Sequence, residues 1–524
     1  MDTGTTFYFV PYILCIIPSL LLLSFLKTLV KPPTASRPPP SPPTLPIIGH
    51  VHLLTSILPK CFQTLAARYG PLMQLRLGSS TCIVVSNAVV AKEVMKTHEL
   101  AFASRPEFGS SEHFIYKGSR FIMAEYGPYW RFMKKLCLTK LLAAPTLDRL
   151  IYIREEEMGK LMDTLIQRSR KGEASDLSKE LTTLTSNIIC RMAMSTRCSR
   201  NGNEAEEMME LVKGVVELGG KLSIGDALGA LGRLDLLGYG KKLEAKLRKF
   251  DSLVEKIMEE HQRKNGMVKG NGREGRDLMD ILLEIHEDPS AELKLTRTDI
   301  KSFFLDILLA GTDTQSVATQ WAMAELINRP RVFNKLREEI DSIVGSTRLV
   351  KESDVPNLPY LQAVVKETLR LHTSAPFILR QCIQDCKIDG YDIKANTRVM
   401  ISAFAIMQDP NSWEDPSEFI PERFLVNSGE NMVDHVTEIK GQDFRYVPFG
   451  SGRRGCPGAA LAMMVMQMTI GRLVQCFDWR VKDGEKVDLN VGPGFSAEMK
   501  TPLVCFTSIH FDPLGEVYAR HVEG

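Results

Sequence analysis

The sequence has no excess of charge of either sign. Its 524 residues carry 65 Lys+Arg against 63 Asp+Glu, a formal net charge of +2. Nothing in that balance points to nucleic acid or to a strongly acidic partner. Paired cysteines are also missing. The 11 cysteines are an odd set spread from Cys15 to Cys505 with no C-x-x-C, and the closest two, Cys382 and Cys386, have no Cys/His cluster beside them. A disulfide framework and a structural zinc site are therefore not expected, and the pattern suits a reducing compartment with at most one special thiol. No N-x-[ST] acceptor occurs, in keeping with a chain kept out of the secretory lumen. No internal repeat of fixed period is present, which excludes solenoids and propellers. No glycine fingerprint for a flavin or nicotinamide is found either. Apolar residues make up 44% and charged residues 24%, an ordinary globular balance that excludes disordered, collagen-like and multi-span membrane chains. Length divided by about 150 suggests three domains, yet no linker-like break follows Pro46, and one large domain is expected.

Only one long uncharged run stands near the start, Phe7 to Leu26. At about 1.5 Å per residue it can just cross a hydrocarbon core of about 30 Å. Lys27, Lys31 and Arg37 follow it and only Asp2 precedes it, so the bulk of the chain is expected on the cytosolic side. A cleaved signal peptide would have a shorter apolar stretch with its basic residues in front; a retained anchor over residues 1–30 is preferred. RPPPSPP, Arg37 to Pro43, fixes φ and removes backbone donors, so residues 31–46 read as a stiff extended hinge. The remainder, 47–524, is the globular part.

That part is mainly helical in pattern. Ala88 to Lys96, Leu147 to Ser169, Ala205 to Leu218, Lys241 to Arg263 and Asp277 to His286 have amphipathic helical spacing. Met73 to Leu77 and Thr81 to Val85 form an expected hairpin around Gly78-Ser79-Ser80. Lys387 to Ile393, turning at Asp389-Gly390, and Arg398 to Ala403 are further β candidates. Gln262 to Arg276 reads as a polar loop.

One cysteine differs from the other ten. Phe449 to Gly458 is FGSGRRGCPG. Gly450, Gly452 and Gly455 permit tight turns. Pro457 and the apolar run Ala459 to Leu473 begin a helix just after Cys456. Exposed N–H groups and the helix dipole at such a place stabilise an anion, so the Cys456 thiol is expected to ionise easily, and the thiolate is the metal-ligating form.

The pattern F-x-x-G-x-R-x-C-x-G, with Phe449, Gly452, Arg454, Cys456 and Gly458 all in place, resembles the haem-ligand signature of the cytochrome P-450 superfamily. Three further segments resemble family motifs in family order. AGTDTQ, Ala310 to Gln315, is similar to the distal helix over the haem, and implies Asp313 and Thr314 as a proton-delivery pair. Gln315 departs from the usual Thr or Ser, which puts the local water network in question. Glu367-Thr368-Leu369-Arg370, with Arg423 of Pro421-Glu422-Arg423-Phe424, resembles the structural carboxylate–guanidinium lock beside the haem loop. Trp130 to Lys134 resembles the W-x-x-x-R helix that binds a haem propionate. Lys134 stands where the family has Arg, giving a point charge and no fork. With Arg380 and Arg454 it would form a cationic ring for two carboxylates.

The resemblance covers essentially the whole chain. It implies a mainly α fold with small β-sheets behind one N-terminal transmembrane helix. It implies haem b with the Cys456 thiolate as axial ligand and Trp130, Lys134, Arg380, Phe449 and Arg454 around it. It also implies O2, electrons from the membrane-bound NADPH–cytochrome P-450 reductase, and an endoplasmic reticulum location with the catalytic domain in the cytosol. Arg131, Lys134, Lys135 and Lys140 read equally as a docking face for that reductase or as a solvated basic helix.

By family position the substrate wall comes from Glu107 to Tyr126, Phe303 to Leu309, Ser374 to Leu379 and Gly494 to Ala497. These segments are apolar, so a small lipophilic substrate is expected. FASRPEFGSSEHFIYKGSRF is similar to triterpenoid oxidases that carry the C-29 methyl of friedelin through alcohol and aldehyde to acid; a flavanone oxidase of the flavone synthase kind is the alternative. Two other classes are weighed, an oxygen-independent haem-thiolate isomerase and a non-catalytic haem or sterol carrier. Retention of Asp313 and Thr314 argues against both.

Overall fold

Gln315 to Leu326 is buried without a break, so the helix that carries it has no solvent face and must run through the middle of the molecule. The computed structural model describes residues 37–46, 48–78, 80–107, 113–197, 204–225, 235, 237–267, 276–425, 441–493 and 497–512. The expected membrane anchor, residues 1–30, and the start of the hinge lie outside the described residues. Among the described residues only Ala459–Cys476 is long and apolar enough to cross a membrane, and 83% of it is buried in the protein, which makes it a core helix.

The helices in chain order are α1 (Leu58–Tyr69), α2 (Ala88–Lys92), α3 (Pro128–Leu136), α4 (Ala144–Arg149), α5 (Ile151–Lys171), α6 (Leu177–Met194), α7 (Glu204–Gly225), α8 (Tyr239–Met267), α9 (Leu278–Glu287), α10 (Arg297–Gly311), α11 (Asp313–Asn328), α12 (Pro330–Ile343), α13 (Pro359–Leu371), α14 (Ala403–Met407) and α15 (Ala459–Cys476). The strands are β1 (Leu72–Leu77), β2 (Ser80–Val85), β3 (Ser175–Asp176), β4 (Phe377–Gln381), β5 (Cys386–Ile388), β6 (Tyr391–Ile393), β7 (Arg398–Ser402), β8 (Phe477–Arg480) and β9 (Val504–Ile509). The molecule is thus mainly helical with small sheets. α11 packs against α6, α13 and α15, and this bundle carries the main core.

Sequence signals set the helix starts. Asp277 and Asp280 form a reciprocal capping box at α9, and Thr296 and Asp299 form another at α10; each pair satisfies N–H groups the helix itself leaves unbonded. The larger sheet has the order β1-β2-β7-β4. β1 and β2 are an antiparallel hairpin, β7 joins β2 in parallel, and β4 lies antiparallel to β7. Phe62, Met73, Leu75, Val84 and Phe377 make a second small core beneath this sheet. β3, β9 and β8 form another sheet, and β5 pairs with β6. The β5–β6 turn is at Asp389 and Gly390, whose φ values of 48° and 74° are left-handed.

The structure departs from the sequence reading in several places. The helix from Ala88 ends at Lys92 and runs on as a wider turn, Glu93–Thr97. α8 extends to Met267, through the first residues of the expected loop. β4, α1 and α6 were not expected. Cys190 is disulfide-bonded, a single bridge where the sequence pattern led only to the expectation of no disulfide framework. The described part of the proline-rich hinge is tied to the body. Arg37 exchanges bonds with Asp392 at 2.7 and 2.8 Å, Gln74 N–H donates to Pro40 O at 2.8 Å, and the His50 ring bonds Pro42 O at 2.8 Å.

Candidate active site

The turn before α15 is built by its glycines. Gly450 and Gly452 have φ of 69° and 67°, a conformation open to Gly and costly to other residues. At Gly452 a Cβ would also meet Met95 O at 2.9 Å. The turn closes with Gly455 N–H on Gly452 O at 2.9 Å and Cys456 N–H on Phe449 O at 2.9 Å. Phe449 therefore contributes a carbonyl that fixes Cys456, and its ring is partly buried in the main core. α15 begins at Ala459 with Gly458 as its cap, so Pro457 lies before the helix and not at its first position. The Cys456 side chain reaches open space.

The Cys456 thiol does not ionise as easily as its place suggests. Burial of the surrounding wall raises its pKa and wins; the N–H groups of Gly458 and Ala459 and the charges of Lys134 and Arg105 pull it down without overcoming this. Reversing the shift would take more positive charge at the sulfur than these groups supply. A bound metal would supply that charge and deprotonate the thiol outright.

Around the cysteine lies an excess of partly or fully buried positive charge. Lys134, on α3, donates to Gly455 O. Arg454 donates to Ala103 O at 2.6 Å and to Ala124 O, and its guanidinium stacks 4.3 Å over Trp130. Arg454 Nη1 and Arg105 Nε are buried with no hydrogen-bond partner among the described residues. Arg380, on β4, is 3% exposed and spends one donor on the adjacent Leu379 O. The groups sense one another. Burial and then Arg105 lower the pKa of Arg454 to about 9; burial, Arg105 and Arg454 drive Arg380 well down; burial also lowers Lys134. The two carboxylates that act on the cluster are already engaged, Glu99 with Arg453 and Asp306 with Arg120. Such a set requires an external anion. Arg105, in the FASRP segment, is the member that sequence reasoning missed; a single Arg in a loop carries no periodic signal.

On the other side, α10 and α11 are one helical rod interrupted at Thr312, whose φ and ψ are −90° and −66°. Hydroxyls occupy the opened ladder: Thr312 on Leu308 O at 2.9 Å, Thr314 on Ala310 O at 2.7 Å, and Thr185 on Thr312 O at 2.9 Å. Gly311 lets α6 approach, since a Cβ there would lie 3.0 Å from Ile189 Cδ1. Ala310 and Thr314 are exposed and Ile307 and Gly311 half-buried, between the buried stretches Ile300–Asp306 and Gln315–Leu326. These four share one helix face, so the rod opens a stripe there; Leu309 and Asp313, also half-buried, lie to another side. Ser374 donates to Thr314 O at 2.8 Å, placing the start of the 374–379 segment beside it.

Asp313 and Thr314 are neighbours in sequence but about 100° apart around the helix, and they are not bonded to each other. Asp313 opens instead onto a cleft of about 810 Å³ that Lys213, Ser316, Gln320 and Glu498 also line. Burial raises the Asp313 pKa; Lys213 opposes this and Glu498 adds to it.

The structure brings Glu367, Arg370 and Arg423 together. Glu367 and Arg370 are both 0% exposed and paired at 2.7 Å, with a second bond at 2.8 Å. Arg423 reaches Glu367 at 3.1 Å, and Ile420 N–H completes the carboxylate at 2.9 Å. Arg370 spends its remaining donors on Met407 O, Pro416 O and Glu418 O. Trp130 is 4% exposed and stacks on Phe121.

Comparison with known proteins gives one consistent result. The family model described as cytochrome P-450 matches residues 39–506. The chain is similar to a 3,9-dihydroxypterocarpan 6A-monooxygenase of Glycine max, at 43% identity over 91% of this chain and 94% of that one. It is similar to a beta-amyrin 24-hydroxylase of Glycine max, at 41% identity over 97% and 98% of the two chains. Among solved structures it resembles a zebra fish enzyme of the same family determined with progesterone, at 26% identity, with a TM-score of 0.72 over 86% of this chain and 99% of that one.

Proposed function

This chain belongs to the cytochrome P-450 family, and from that premise we propose that Cys456 is its haem ligand and that its substrate is a lipophilic plant specialised metabolite, first of all a pentacyclic triterpenoid. The family carries haem b on a cysteine thiolate and consists of oxidoreductases that incorporate oxygen from O2, fed by a redox partner. When bound, the haem supplies the activation of O2 for insertion of one oxygen atom into a C–H bond.

The observation that carries the reading is the match between a dianionic cofactor and the cation cluster. Lys134, Arg105, Arg380 and Arg454 would hold its two carboxylates, with Arg454 Nη1 and Arg105 Nε, which have no hydrogen-bond partner among the described residues, as the donors. Trp130 backs Arg454 from below. Cys456 Sγ supplies the thiolate, and the amides of Gly458 and Ala459 hold its charge. Glu367, Arg370 and Arg423 keep the segment 407–423 fixed against α13, next to the cysteine turn.

Thr314 presents its hydroxyl to the open stripe of the distal rod. Asp313, a readier proton holder than a free carboxylic acid, stands on the solvent-cleft side of the same break. Proton supply from the cleft through the break to Thr314 follows from that arrangement. Phe303, Phe304, Leu305 and Leu308 are buried on the rod just before it and exclude water.

The triterpenoid class is supported by the similarity to beta-amyrin 24-hydroxylase over nearly the full chain, with successive oxidation of a friedelin-type methyl as the specific form. A flavonoid-like substrate is the second reading, supported by the similarity to the pterocarpan monooxygenase. The anchor at residues 1–30 and the bound hinge at 37–46 would set the globular domain on the cytosolic face of the endoplasmic reticulum, beside NADPH–cytochrome P-450 reductase. Microsomes holding this protein and the reductase, given NADPH with friedelin, beta-amyrin and a flavanone, test the reading by mass spectrometry. Oxygenated triterpene is expected; oxygenated flavanone alone would favour the second reading, and no NADPH-dependent product from any would remove both.

A further inference from the structure

Asp306 is the one carboxylate on the apolar face of α10, 1% exposed, between Phe303, Phe304, Leu305 and Leu308, all 2% exposed or less. A charge in such surroundings is costly unless fully paired. Its partner is Arg120, in the segment 113–126 that precedes α3. Arg120 Nη2 and Nε reach Asp306 Oδ1 at 2.7 and 3.1 Å, and Ile122 N–H donates to Asp306 Oδ2 at 3.0 Å. One carboxylate therefore grips the segment on both sides of Phe121.

That grip decides where Phe121 goes. Its ring packs 6.0 Å from Phe303 on α10 and is stacked 6.2 Å from Trp130 on α3. Trp130 in turn supports Arg454. Other polar contacts also hold the segment: His113 to Glu244 and Tyr116 OH to Asp251 on α8, each at 3.2 Å, Tyr129 OH to Ser119 O at 2.6 Å, Arg453 to Tyr126 OH at 2.9 Å, and Arg454 to Ala124 O. Arg120 also lies 4.5 Å over the Phe114 ring. Among these contacts the Asp306 pair alone joins two charged side chains nearly closed to water, at 1% and 17% exposed.

We propose that Asp306 and Arg120 are positioning residues that latch segment 113–126 onto α10 and so set the width of the substrate-side wall, which selects among lipophilic molecules by bulk. This rests on the haem-thiolate reading, because the segment lies beside the site only on that reading. A latched segment keeps Phe121 in place and admits flat or slender molecules slowly through a narrow wall. A released segment admits bulkier ones faster and holds none in a single orientation.

The test uses full-length protein with haem bound. Three forms are compared: wild type, Asp306→Asn, and the double variant Asp306→Leu with Arg120→Met, which removes both charges at similar volume. The probes are imidazole and a bulky triaryl-substituted imidazole, followed by the spectral change on binding to ferric haem. Wild type must first give the thiolate-type spectrum of the reduced carbon monoxide adduct; its failure there sinks the haem-thiolate reading and not the latch. Given that spectrum, the latch predicts imidazole binding unchanged in all three forms. It predicts association of the bulky probe faster by on the order of fivefold in both variants, the size of a broken local coupling. Equal rates for the bulky probe in all forms would overturn it. Loss of haem from both variants would also overturn it, since the pair would then be a folding element.

Discussion

Replacing Arg370 by Lys is a sharp test of how the proximal side is held. The guanidinium makes five bonds in the structure, two to the Glu367 carboxylate and one each to Met407 O, Pro416 O and Glu418 O. Both side chains are 0% exposed, so water does not replace what is lost. A lysine ammonium has three donors on a point charge and cannot match the planar fork. At least two of the five acceptors are left bare, at about 1–3 kcal/mol each, so a loss of about 2–6 kcal/mol is expected. Against a total stability of about 5–15 kcal/mol for a folded domain, that is enough to reduce haem retention during expression. The assay is urea unfolding of haem-loaded protein, followed by haem absorbance and tryptophan fluorescence together because cofactor proteins depart from two-state behaviour. Lys135 with Glu292, a pair 64% exposed on each side, serves as the control and is expected to shift the midpoint little. An Arg370→Lys protein within about 1 kcal/mol of wild type would refute the reasoning.

Other perturbations have equally definite outcomes. Asp313→Asn removes the proton holder at the cleft, so product formation should fall on the order of a hundredfold while substrate binding is kept; unchanged turnover would mean protons arrive elsewhere. Thr314→Ala should divert electrons from product to hydrogen peroxide, read as peroxide released per NADPH, and unaltered coupling would contradict the role given to the hydroxyl. Gly452→Ala places a Cβ in a left-handed backbone and against Met95 O, at about 1–2 kcal/mol for the conformation alone, and should lower haem content per protein. His261 bonds Ile257 O through Nδ1 and Asp277 through Nε2, each at 2.8 Å. Burial lowers its pKa, but the hydrogen bond and charge of Asp277 outweigh this and raise it above the usual 6.5. A raised folded-state value means the contribution is complete below about pH 6.5 and fades as pH climbs through the elevated value. Wild type should therefore exceed His261→Gln in stability most at low pH, and a gap that widens with pH would reverse the assignment.

The sequence was most legible where chemistry demands residues at fixed short spacing. The cysteine turn is one such place, since three glycines, an arginine and the cysteine act within ten residues. Glu367 and Arg370 are another, three apart on one helix face. The break at Thr312 was visible as Gly311 followed by hydroxyl residues, although not that Asp313 and Thr314 would look to different sides; one step along a helix turns a side chain by about 100°. Arg105 and the Arg120–Asp306 pair were not legible. Their meaning depends on segments about two hundred residues apart meeting in space, and no local pattern announces that. α6 was missed because it is buried over most of its surface, which removes the polar stripe that periodicity needs. At Cys456 the helix terminus was readable, but the burial that opposes ionisation there was not.

The central claim is that Cys456 binds the iron, and replacing it by His in the full-length protein addresses this directly. The reduced carbon monoxide adduct of wild type should show the thiolate-type absorption, and Cys456→His should retain haem with an imidazole-type absorption in its place. A thiolate-type band that survives in Cys456→His would put another sulfur on the metal and contradict the account.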